Sequence, residues 1–330
     1  MRIKSKDWLG LILTLIWSII AMGLAKFLPQ FGAESIAMLG GIVLGNTFFN
    51  ADKYASGVKW AEKYPIEIGI ALLGATLTFS TIGKLGWQGI VFIILNMALI
   101  ILVVDLIGKY IFKVDLKSRM LMSAGNAVCG SSAIAGVTPA IGANDNQRRT
   151  AVATVSLTGM LLLFTLPELS HFLFGSNNFL AGALIGGTVQ SVGQVVGTAA
   201  LMNQSVVTYA TLFKLLRVIM LAAVVVFFAY RARRQGGEEV LQQSKKSLLP
   251  WYIIAFVFLL VINSFWSFPK FINTSCHELT AFFGVVNLAG IGLNLKWETI
   301  KKSGVKFLLY GALTGICQVI LAVCLIHIFF

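Results

Sequence analysis

The sequence predicts an all-α membrane protein of about eleven embedded helices, forming a single polytopic domain over residues 1–330. Three observations predict it: the composition, the length of the apolar runs, and the placement of the cations between them. Apolar residues make up 57% of the chain and charged residues 12%, whereas a water-soluble domain carries about a quarter charged residues.

A membrane-crossing helix needs about 20 mostly apolar residues. Runs of that kind place the expected spans at 8–28, 35–49, 65–80, 86–108, 118–142, 147–168, 178–201, 207–230, 248–266, 277–295 and 304–328. The longest interruption, Arg231 to Leu248, is too short for a soluble domain. The first run, after Met1-Arg2-Ile3-Lys4-Ser5-Lys6, exceeds the 7–15 residues of a signal-peptide apolar region, so it reads as an uncleaved first helix.

The net charge of +13 does not point to nucleic acid, because the cations sit at the ends of the runs. With the amino terminus inside and each segment crossing once, 19 cations fall inside and 5 outside, and two lie within a span. That bias orients the chain with its amino terminus in the cytoplasm and its carboxyl terminus outside, in a cell inner membrane. Cys129, Cys276, Cys317 and Cys324 have neither disulfide nor zinc spacing, so no metal or cofactor is expected.

Two stretches echo each other. Leu73-Gly74-Ala75-Thr76-Leu77-Thr78-Phe79, followed by Thr81-Ile82 and Gly86, parallels Ala289-Gly290-Ile291-Gly292-Leu293-Asn294-Leu295, followed by Thr299-Ile300 and Gly304. The two spans run in opposite directions in the expected topology, as inverted repeats of secondary transporters do. Ser131 through Thr138 similarly echoes Ser191 through Thr198; inversion holds for that pair if both segments are re-entrant rather than crossing.

Ser123 through Gly136 is rich in Gly, Ser and Asn, and Pro139 follows. In hydrocarbon, irregular backbone survives only when buried in protein or lining a wet cavity. Gly130 permits a break, after which Ser131 or Ser132 can start a fresh half-helix whose amides favour an anion. Small residues also serve plain helix packing, but the polarity of Asn126, Ser131 and Ser132 favours the discontinuous helix. Gly186 through Thr198 repeats the idea: Gln190 and Gln194 share a helical face, with Ser191 between them and Thr198 one turn further; a polar seam between helices is the plainer alternative.

Lys214 and Arg217 lie deep in the 207–230 span on one face. A mid-membrane charge costs about 2.5–3.5 kcal/mol on the insertion scale and marks a pathway or a paired site. Arg217 is about ten residues, or roughly 15 Å, from the cytoplasmic end, too deep to snorkel easily, while Lys214 can partly reach the outer side. Asp105, Glu67 and Glu168 sit near interfaces and Asp145 in a loop, so an anionic substrate is the expected compensator of Arg217.

The run Cys129-Gly130-Ser131-Ser132-Ala133-Ile134 within Gly125–Pro139, together with Gln194-Val195-Val196 and Lys214-Leu215-Leu216-Arg217-Val218, resembles the YeiH-type bacterial membrane proteins, described as sulfate exporters. The resemblance covers nearly the whole chain. One departure is Gln190, where the family pattern carries a His, so a proton relay at that position does not carry over. The resemblance implies kinship with cation/proton antiporters and bile-acid-type transporters, which have inverted repeats and discontinuous helices.

The expected function is secondary transport of a small anion, sulfate or a sulfonate, between the two interrupted segments. The expected binding set is Asn126, Cys129, Gly130, Ser131, Ser132, Gln190, Ser191, Gln194, Thr198, Lys214 and Arg217. With no P-loop, drive would come from a coupling ion, H+ or Na+, or from the membrane potential. A monovalent cation/proton antiporter is the alternative and needs a deep acidic residue; an anion channel would share the same polar chemistry. An enzyme is not expected, since His171, His277 and His327 lie near ends, away from Cys129. Beyond lipid and anion, a homodimer is compatible with the architecture and no nucleic acid is expected.

Overall fold

The computed structural model describes residues 7–28, 32–83, 85–235, 250–295 and 297–330, and no strand occurs among them. Met1–Lys6, Lys84, Lys245, Lys246 and Lys296, all part of the expected charge bias, lie outside the described residues, as does most of the Arg231–Leu248 interruption. The helices are α1 (Trp8–Phe27), α2 (Gly32–Thr47), α3 (Asp52–Leu73), the short α4 (Phe79–Gly83), α5 (Gly86–Leu106), α6 (Leu116–Ala127), α7 (Ser131–Ala140), α8 (Asp145–Phe174), α9 (Asn178–Thr188), α10 (Val192–Ala200), α11 (Gln204–Ile219), α12 (Leu221–Gln235), α13 (Trp251–Phe265), α14 (Lys270–Asn294) and α15 (Trp297–Phe329).

Six described stretches are long and apolar enough to cross a membrane: Trp8–Phe27, Gly86–Ile111, Asp145–Phe174, Gln204–Gln235, Lys270–Asn294 and Gly304–Phe329. Eleven spans were expected, and the difference has identifiable causes. The α2 helix has 16 residues and α13 has 15. The α3 helix starts earlier than expected and takes in Asp52, Lys53, Lys59, Glu62, Lys63 and Glu67. The segments 118–142 and 178–201 are each divided into two short helices.

The chain forms two compact units. One comprises residues 1–76 and 252–305, the other 77–251 and 306–330. In the first, α14 packs on α2 and α3, and α1 covers all three. Ala21, Ala37, Val285 and Ala289 meet at its core with Trp17 alongside, whose indole Nε1 donates to Ala37 O at 2.8 Å. Small side chains at such contacts let helix backbones approach, which is the main packing device where lipid removes the hydrophobic drive. A buried polar cluster lies in the same unit. Glu62 is 1% exposed and its Oε2 accepts from Asn294 Nδ2 at 2.8 Å, while Asn287 donates to Glu62 O.

In the second unit, α6 packs on α5, α7 and α8, and α11 lies along α9 and α10. Several helices here begin on polar caps. Asp115 accepts from Ser118 N at the start of α6, Asn144 and Gln147 form a capping box on α8, and Asn177 and Asn203 cap α9 and α11. Asp105, expected to be hydrated near an interface, is buried instead: Arg231 Nη2 stands 2.5 Å and Arg119 Nη1 3.5 Å from its carboxylate, tying α12 and α6 to α5.

Candidate functional site

Helix α6 ends at Ala127 and α7 begins at Ser131, with Gly130 between them at φ +69° and ψ −119°. An L side chain is strained there, so the break depends on glycine. Helix α9 ends at Thr188 and α10 begins at Val192. The two breaks meet, because a Cβ placed on Gly130 would lie 3.4 Å from Gln190 Cβ.

Both first halves end in buried carbonyls, and α11 supplies the donors for them. Arg217 is fully buried; its Nε donates to Ala127 O at 2.9 Å, its Nη2 to Asn126 O at 2.5 Å, and its Nη1 to Gly186 O and Val189 O at 3.1 and 3.0 Å. Lys214, also fully buried, donates to Val128 O at 2.7 Å and Val189 O at 3.1 Å. Each cation therefore joins both breaks. A helix carboxyl end carries about half a negative charge. Two such ends give about −1 against the +2 of Lys214 and Arg217, which leaves the junction net positive.

Sequence reasoning expected a mobile anion to compensate Arg217. The compensators found are backbone carbonyls, in a geometry that uses the fork of the guanidinium. Among the described residues, no carboxylate is a partner of Arg217. Asn96, which sequence reasoning passed over, adds a further donor, from Nδ2 to Gly187 O at 2.8 Å. A polar residue inside the run Ile93-Ile94-Leu95-Asn96-Met97 was the available signal, by the same rule that singled out Lys214.

The second halves start differently. Neither Gly130 before α7 nor Ser191 before α10 provides a side-chain cap. First-turn amides have no acceptor within their own helix. At α7 the Cys129 sulfur lies against the Ala133 amide and the Ser132 hydroxyl. Ser131, Ser132, Ser191 and Val192 are half-buried, whereas the ends of α6 and α9 are closed off.

Between the breaks runs a chain of carboxamides. Asn126 Nδ2 donates to Met122 O at 2.9 Å, and Gln190 Nε2 donates to Asn126 Oδ1 at 3.1 Å. Gln194 Nε2 donates to Ser156 O at 3.2 Å. Both glutamine oxygens face Gly159 on α8, where an added methyl would lie 2.7 Å from Gln190 Oε1 and 2.3 Å from Gln194 Oε1. Of the expected binding residues, Asn126, Cys129, Gly130, Ser131, Ser132, Gln190, Ser191, Gln194, Lys214 and Arg217 gather at or beside the junction. Thr198 lies a turn away, and its hydroxyl donates back to Gln194 O at 2.7 Å.

Residues 9–311 match the family described as "Conserved hypothetical protein 698". A "UPF0324 membrane protein" of Lactiplantibacillus plantarum is 42% identical over 323 residues, 96% of each chain. The chain belongs to the UPF0324 family. Other members are the "UPF0324 membrane protein YdhF" of Lactococcus lactis, 41% identical over 97% of this chain and 98% of the relative, and the "UPF0324 inner membrane protein YeiH" of Escherichia coli, 32% identical over 84% and 80%. The expected resemblance to YeiH-type proteins is thus met. The family's membrane names agree with the six apolar helices: the chain is a multi-pass membrane protein.

Proposed function

We propose that this protein is a secondary transporter of a small anion that binds at the amino-terminal ends of α7 and α10. The observation that carries this reading is the unequal treatment of the four half-helix ends. Carboxyl ends receive Lys214 and Arg217, while the N-cap residues Gly130 and Ser191 give the amino ends no side-chain cap, and first-turn amides, which lack acceptors within their own helix, suit an anion. The two cations act from behind, as fixed positive charge, rather than as direct ligands.

In this reading the interrupted segments and the remaining helices form about eleven membrane-embedded elements with inverted repeats. The amino terminus is cytoplasmic and the carboxyl terminus outside, following the charge bias. The anion is exposed alternately to the two sides, driven by an ion gradient or the membrane potential.

The test uses the full chain in proteoliposomes, with labelled oxyanions and Ser191→Asp. An aspartate there supplies the missing cap and occupies the first turn of α10 with negative charge. Folding is expected to be retained and saturable anion uptake to be lost. Normal uptake by the folded variant would reject the site.

One observation favours a second reading, cation/proton antiport: Glu62 is a buried acid deep in α3. Its helical phase with Val58 and Ile66, both buried, was the sequence signal for it. Collapse of a monovalent cation gradient by the wild-type protein, abolished in Glu62→Gln, would decide for that reading.

A further inference from the structure

The orientation of the two glutamines is fixed by acceptors that cannot donate. Met122 O can only accept, so Asn126 must present Nδ2 to it and Oδ1 to its other neighbour. Gln190 must then present Nε2 to Asn126, which turns its Oε1 toward Gly159. Ser156 O likewise fixes Nε2 of Gln194 and turns that Oε1 to the same place. Gln190 is 1% exposed, and its Oε1 has no hydrogen-bond partner among the described residues. A buried acceptor left without a donor has given up its hydration with nothing in return, so the position calls for a donor from outside the chain.

Electrostatics narrows the donor. Lys214 and Arg217 bond to Val189 O, next to Gln190, and Arg217 also bonds to Asn126 O. A metal or ammonium cation would face both of these charges, and no group of His, Cys, Asp or Glu able to hold a metal occurs among the described residues. Gln190 itself stands beside both helix starts, since it precedes Ser191 and its Cβ lies against Gly130.

We propose that the transported anion is an oxyanion that keeps a proton near neutral pH, its oxygens accepting from the first-turn amides while its O–H donates to Gln190 Oε1. This rests on the anion-transport reading and names its substrate class. Sulfate and sulfonates, fully deprotonated, would leave the acceptor unfilled, whereas hydrogen phosphate and bicarbonate would fill it. A site built around a ligand hydroxyl rejects analogues lacking it by large factors.

The experiment compares exchange of phosphate and bicarbonate with that of sulfate and methanesulfonate in proteoliposomes of the full chain. Proton-bearing anions are expected to exchange at least about 100-fold better. In Gln190→Met, which keeps the length but removes the acceptor, this preference is expected to collapse. Equal or better exchange of sulfate by the wild type overturns the inference while leaving anion transport standing, and needs no variant to fold. Exchange of none of the four overturns both readings. A folded Gln190→Met with unchanged preference would show that the oxygen holds a water, and overturns the inference alone.

Discussion

Where the two interrupted segments meet, two kinds of helix end lie a few residues apart. The carboxyl ends of α6 and α9 are buried, and each final carbonyl held by α11 takes a hydrogen bond from a full positive charge. The amino ends of α7 and α10 are half-buried and uncapped by their N-cap residues. Elsewhere in the same unit, α6, α8, α9 and α11 begin on Asp or Asn caps. The difference separates two jobs that a sequence reading merges. Charge at the carboxyl ends stabilises the breaks, and in the proposed function the first-turn amides of the amino ends serve the anion. A buried cation in a membrane protein is therefore not automatically a ligand; its partners decide.

The comparison is broken most severely by removing Arg217. Arg217→Ala would leave Asn126 O, Ala127 O and Gly186 O without their charged donor, in a site that admits little water. Each buried carbonyl left without a donor costs about 1–3 kcal/mol, so the three together are comparable to much of a protein's net stability. The expected outcome is loss of folded protein, read as aggregation on size-exclusion in detergent and a strongly lowered melting temperature. Lys214→Met should follow the same direction more mildly, since Val189 O still receives Arg217 Nη1. A well-folded Arg217→Ala protein lacking only transport would reverse the assignment and return the guanidinium to the anion.

The amino-end half of the comparison is sharpened at Gly159. Its missing side chain leaves room for two carboxamide oxygens, and an added methyl would sit 2.3 and 2.7 Å from them. Gly159→Ala keeps every polar group but displaces both glutamines. Overpacking costs about 1–3 kcal/mol, and helix propensity returns up to about 1 kcal/mol, so the net change in stability is expected to be about 0–2 kcal/mol. Anion exchange should fall by more than that loss of folded protein accounts for. Uptake normalised to folded protein checks it, and proportional losses would mean that the glutamines only pack.

Much of this was legible in the sequence. Glycine, serine and asparagine crowded before Pro139 signalled the first break, and helix does stop within that stretch, at Ala127. The Gly186–Thr198 stretch signalled the second in the same way. The deep placement of Lys214 and Arg217 also announced itself, because apolar neighbours on both sides leave few explanations for a charge. What could not be read was direction. Residue types state that Arg217 needs acceptors, but whether those are backbone carbonyls or a ligand depends on which ends of α6 and α9 face α11. Glu62 was missed for a related reason: the apolar run was expected to begin at residue 65, whereas α3 begins at Asp52 and packs against α14. Gly159 reads as an ordinary small residue within a long helix until the side chains opposite it are placed.

The smallest expected effect is at Thr198, grouped with the site by its spacing from Gln194. Its hydroxyl donates to Gln194 O within its own helix, and that carbonyl keeps its helical amide partner when the hydroxyl is removed. Side-chain hydrogen bonds in membrane helices contribute about 0.6 kcal/mol on average, and a Ser/Thr bond to the i−4 carbonyl tends to bend a helix rather than hold it. Thr198→Val is therefore expected to shift the melting temperature slightly and leave the exchange rate and anion preference unchanged. A large loss of transport in a folded Thr198→Val protein would mean that the ligand reaches a full turn further along α10 than the uncapped start. The boundary drawn between the helix end and the helix body would then have to move.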